Sequence, residues 1–106
     1  MSAITGGLLL DRAVPRWAPL IDRDRLDMGD PEWCVLAQLC PARIVPAGFG
    51  HLRWLIMARH LSGLPDHQRE RWSHKHGFLA AGSGYPVASL TRDWDTQVTI
   101  RLEAVA

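Results

Sequence analysis

The apolar positions of this chain fall into blocks at helical spacing, separated by short polar or Pro/Gly-rich breaks. Leu8, Leu9, Leu10 and Ala13 make the first block, closed by Val14-Pro15. Residues 1–7 ahead of it are small and polar, as in a frayed end. Trp17, Leu20 and Ile21 follow at helical spacing, before a charged link, Asp22 to Asp30, in which Leu26 and Met28 are expected to touch the core. The next block, Pro31 to Leu39, is apolar on every side except at Glu32 and Gln38, the pattern of a buried helix. Asp30 is a favoured N-cap, Pro31 suits the first helical position, Glu32 suits the positive end of the dipole and Pro41 stops the helix, so one is expected over 31–39.

A loop broken by prolines and glycines leads to a second helix expected over 49–61. Phe49, Leu52, Leu55, Ile56 and Leu61 form its apolar stripe, with Trp54 and Ala58 beside it. Ser62-Gly63 ends this helix. Leu64-Pro65-Asp66 opens a third, mostly polar one that runs to His76 and is closed by Gly77. In the last segment Val87, Leu90, Trp94 and Val98 recur at intervals of three and four, a helix running to about Leu102. From Gln97 onward Val98, Ile100 and Leu102 alternate with Thr99, Arg101 and Glu103, which is a strand pattern, so 97–104 stands between helix and strand. The fold class expected is mainly α, a compact single domain over 1–106 with four or five short helices around the buried central helix 31–39. Trp17, Trp33, Trp54, Trp72 and Trp94 fall on almost every element and read as core pillars. Trp72 stands apart because its helix is otherwise polar: it is either that helix's anchor to the core or an exposed partner contact.

Composition narrows the function classes. The 106 residues carry a net charge of +1, with 47% hydrophobic and 22% charged residues. That suits one domain with its own core and gives no global electrostatic reason to bind nucleic acid or a membrane surface. The longest apolar runs, "GGLLL" and "WLIMA", fall far short of the ~20 residues of a membrane helix. The N-terminus lacks the basic residues and long apolar stretch of a secretory signal, so a cytoplasmic protein is expected.

The residues that bear chemistry do not assemble into a known constellation. Cys34 and Cys40 are the only cysteines, six apart. On one helix that separates their side chains by about 120°, which suits neither a disulfide nor a CxxC site, and their apolar neighbours make them core residues. Four histidines lie between His60 and His76. His60, His67 and His74 could meet a metal with Cys40 only if loops brought them together, and a solvated polar face is the simpler reading. Asp22, Asp24 and Asp27 alternate with Arg23 and Arg25 and lack the calcium-loop spacing. "GSGYP" precedes a proline and follows no expected strand, so it is a turn rather than a phosphate cradle. No catalytic residue, cofactor or metal is expected, and the chain is not expected to be an enzyme. Arg69, Arg71, Trp72, His74 and Lys75 on the polar third helix are the candidate partner-binding residues, because arginine and tryptophan are frequent interface anchors.

Leu26-Asp27, Cys34-Val35-Leu36 and Gln38-Leu39, then Gly63-Leu64, Gly77-Phe78, and Leu90-Thr91 with Trp94, occur in an order and spacing that covers about two-thirds of the chain. In this the sequence resembles a family of small proteins from actinobacterial phages and prophages. Ala37 stands where that family has glycine, and "CPARIVPAGFGHLRWLIMARH" is unlike the short segment found there. The resemblance implies origin and helical fold rather than chemistry: a small accessory protein of phage type whose partner is a host or phage protein. The alternative is a helix-turn-helix-like nucleic-acid-binding protein using the 65–76 helix.

Denatured without reductant, the protein should show two alkylatable thiols by intact mass, and elemental analysis should find no stoichiometric zinc. A mass short of a pair of hydrogens, or one bound zinc, would reverse that reading of the cysteines.

Overall fold

The computed structural model describes residues 2–104. They form α1 (Ala3–Ala13), a 3₁₀ turn (Ala18–Leu20), α2 (Val35–Leu39), α3 (Gly50–Ser62), α4 (Asp66–Lys75) and α5 (Val87–Ala104), with no strand among them. The mainly α class and the five helices agree with the apolar periodicity. No helix among the described residues is long and apolar enough to cross a membrane.

The chain start departs from expectation. Ala3 to Gly7 are ordered helix rather than a frayed end, because the Ser2 hydroxyl accepts the Thr5 N–H at 3.1 Å and so caps α1. Ala3, Gly6, Gly7 and Leu10 then form its buried face. Met1 lies outside the described residues. The central helix is also shorter than expected. The Asp30 carboxylate accepts the Glu32 N–H at 2.8 Å, and its carbonyl accepts the Trp33 and Cys34 N–H groups at 3.2 and 3.0 Å. Residues 31–33 therefore close a turn, Cys34 is extended at ψ 163°, and the helix begins only at Val35. Five residues cannot sustain a helix alone. Burial does so here, since Val35, Leu36 and Ala37 are 0% exposed.

The helical reading of 97–104 holds, and the strand alternative fails. Trp94 and Val98 lie one turn apart in the core, with Leu102 packed against its edge. The Thr99 hydroxyl donates to the Asp95 carbonyl at 2.8 Å, and Arg101 donates to the Gln97 carbonyl at 2.8 Å. Ile100, which the alternating pattern grouped with Val98 and Leu102, points outward.

An aromatic column forms the core. Trp17 meets Trp94 edge-on at 5.8 Å between centroids, Trp94 stacks on Phe78 at 5.4 Å, and Phe78 lies 5.3 Å from Trp72. The indole N–H of Trp94 donates to the Gly77 carbonyl at 2.6 Å, and that of Trp54 to the Phe78 carbonyl at 3.0 Å. Helices α1 and α5 lie side by side, and the Asp11 carboxylate joins them by accepting from both Trp17 Nε1 and Arg101. Arg101 holds the Asp11 carboxyl below the usual carboxylate range, so this tie is present at neutral pH and weakens as acid protonates Asp11.

The approach of α1 to α5 depends on glycine. A Cβ on Gly6 would stand 2.1 Å from the His76 carbonyl oxygen and 2.8 Å from the Trp94 ring. Helix propensity alone would favour alanine there by about 1 kcal/mol, but the backbone oxygen cannot move aside. Gly6→Ala should still destabilise the protein by about 1–3 kcal/mol, read as a lower urea midpoint with unchanged slope. A variant as stable as wild type would show that the two helices can part at no cost.

Candidate functional site

The five residues expected on an exposed face of α4 divide between its two sides. Arg69 is a correction: it is 6% exposed and turned inward, pairing with Asp66 and donating to the Leu64 carbonyl at 3.2 Å. The Arg69 guanidinium, with Arg59 adding to it, holds the Asp66 carboxyl below its ordinary range. Trp72 is half-buried against the His76 and Phe78 rings, 4.9 and 5.3 Å away, so it serves chiefly as the helix's anchor. Half-buried His74 donates from Nε2 to the Ala81 carbonyl at 2.7 Å, with Glu70 at 4.0 Å, and fastens the 81–84 turn to α4. Arg71 and Lys75 are exposed, one turn apart, and have no ion-pair partner among the described residues. Two of the five thus remain as a free polar face, and the other three hold the fold.

The histidines do not converge. His60 and His67 are exposed, His74 is held at Ala81, and His76 Nδ1 donates to the Trp72 carbonyl at 2.9 Å. Cys40 is buried at the end of α2. Among the described residues no three His, Cys, Asp or Glu side chains come together as a metal site.

A different surface carries exposed apolar groups beside a concavity. Phe49 and Leu52, expected in the core stripe of α3, are 58% and 44% exposed; the inward positions are Gly50, Met57 and Ala58. The cause is the entry of α3. A Cβ on Gly50 would lie 2.3 Å from the Pro31 carbonyl oxygen, so backbone meets backbone there and the flanking side chains are left outside. Phe49 and Leu52 border an open concavity with Pro31, Glu32 and His51. A second concavity of about 460 Å³ adjoins it, walled by Met28, Trp54, Phe78, Ala80 and Val87, with Cys34 in its lining. Asp30, Pro31 and His51 line both and form the saddle between them. Burial pushes the Cys34 thiol up to about 11, so it stays protonated at neutral pH and lines the groove as an apolar group rather than a nucleophile.

Sequence reasoning missed this groove because Phe49 and Leu52 fit the helical stripe as well as true core residues do. The available signal was the aromatic set between two glycines in "AGFGH". Comparison with protein-family models, with curated proteins and with solved structures gives no match.

The two sides of α4 should respond differently to substitution. Arg69→Ala should cost about 1–3 kcal/mol of stability, because it removes a buried hydrogen-bonding group. Arg71→Ala should stay within about 0.5 kcal/mol of wild type. Equal effects in denaturant melts would contradict the inward placement of Arg69.

Proposed function

We propose that this chain is a non-enzymatic accessory protein of phage type that acts in the host cytoplasm by docking on a protein partner through the groove beside Pro31 and His51. The observation that carries this reading is the exposure of Phe49 and Leu52, at 58% and 44%, on the edge of an open concavity that adjoins a second, apolar-walled one. Large apolar side chains left in water beside a concave apolar surface mark interaction sites, and aromatic groups there serve as anchors.

Nucleic-acid binding by α4 is the second reading. Its support is the exposed pair Arg71 and Lys75 on a helix that follows the left-handed Gly63 turn. Burial of Arg69 and the carboxylates of Asp66 and Glu70 on the same helix weaken it.

A pull-down from host lysate at two salt concentrations separates the readings. Wild-type protein should retain one discrete partner protein at both, because apolar contacts are insensitive to salt and phosphate contacts are not. Phe49→Asp with Leu52→Asp should keep the helical spectrum, since both side chains are exposed, and lose the partner by about tenfold or more. Arg71→Ala should capture as wild type does. Recovery of no protein, with a shift of duplex DNA at low salt, would replace docking by the nucleic-acid reading.

A further inference from the structure

We infer that the segment docked in the groove carries two apolar anchor side chains and a basic flank, its Lys or Arg groups meeting the carboxylates of Asp27, Asp30 and Glu32. This rests on the docking reading above and adds the chemistry of the partner.

The two concavities meet at the Pro31–His51 saddle, so one continuous occupant would place one apolar group on each side. The rim is acidic. Asp30 and Glu32 line the open concavity. Asp27 lies behind Gly29, whose Cβ would be 3.4 Å from its Oδ1 and 2.8 Å from Val87 on the second concavity's wall. These three carboxylates have no ion-pair partner among the described residues, as is also true of Asp24, Asp93 and Glu103, which line neither concavity, whereas Asp11, Asp22, Asp66 and Asp95 are each paired with an arginine. What sets the rim apart is that its unpaired carboxylates border an apolar groove.

The arginines nearest in sequence are committed elsewhere. Arg25 lies over the Trp33 ring at 4.7 Å and pairs with Asp22, and Arg53 donates to the Cys40 carbonyl. Backbone bonds fix the rim carboxylates in place, Asp27 accepting from Gly29 N at 2.8 Å, Asp30 from Glu32 N at 2.8 Å and Glu32 from Gly48 N. They are therefore preorganised acceptors with uncompensated charge. A phosphate backbone or an acidic peptide would meet like charge here, and a basic flank meets its complement.

The test is affinity selection of a random peptide library on the full chain, with counter-selection on the Phe49→Asp/Leu52→Asp protein to keep only groove-dependent peptides. Those peptides should carry paired apolar residues with Lys or Arg beside them. A variant with Asp27→Asn, Asp30→Asn and Glu32→Gln keeps one acceptor oxygen per side chain for its backbone N–H while removing the charge. It should bind them roughly 3- to 10-fold more weakly at low salt, the difference closing as salt rises. Groove-dependent peptides that are neutral or acidic, or that bind the neutralised variant as well as wild type, overturn the basic flank while leaving the docking groove intact. Absence of any groove-dependent peptide overturns both.

Discussion

Two indole N–H groups reach into one short stretch of backbone. Trp94 of α5 donates to the carbonyl of Gly77, and Trp54 of α3 donates to that of Phe78. The stretch that follows α4 is thereby bound to two other helices, and the rings of Phe78 and Trp94 stack within it. A buried carbonyl without a donor would cost about 1–3 kcal/mol, and each stacked pair adds about 0.5–1.5 kcal/mol beyond its burial. Helix α1 completes the arrangement by laying Gly6 on the same region, where the His76 carbonyl and the Trp94 ring leave no room for a side chain. Trp17 then closes the column edge-on.

The groove depends on the same interaction. Trp54 and Phe78, which hold α3 to the stretch after α4, also wall the deeper concavity. Its saddle is set by Gly50 resting on the Pro31 backbone, a contact that fixes the start of α3 and leaves Phe49 and Leu52 in solvent. The groove is thus lined by residues that also hold the fold together, and on the docking reading a partner would meet a largely preformed site, which reduces the ordering cost of association.

Helix α4 shows how a polar helix is retained in a small fold. Trp72 packs against Phe78 at a tilt, Arg69 folds over the helix start to reach Leu64, and His74 fastens the following turn. Three of the five side chains that looked available for recognition hold in place a helix with little apolar surface of its own, and only Arg71 and Lys75 stay free.

Several features were legible in the sequence alone. The periodicity of Val87, Leu90, Trp94 and Val98 marks α5, Gly63 and Gly77 mark the ends of α3 and α4 with their left-handed turns, and the all-round apolar run marks α2 as buried. These are local properties, set by spacing and by backbone freedom. Other features were decided by contacts between residues far apart in the chain. Phe49 and Leu52 share a helical stripe with true core residues, yet the contact of Gly50 with Pro31 keeps them outside. Arg69 has the chemistry of a surface residue and is buried against Leu64 and Asp66. The small residues at the chain start, capped by Ser2, pack where the His76 carbonyl and the Trp94 and Arg101 side chains leave room only for glycine. Residues 97–104 carry a strand's alternation but stay helical, because Val98 and Leu102 find the core one turn apart and no neighbouring strand is present among the described residues. Spacing fixes which side chains share a face; which face is covered depends on the neighbour that folding brings against it.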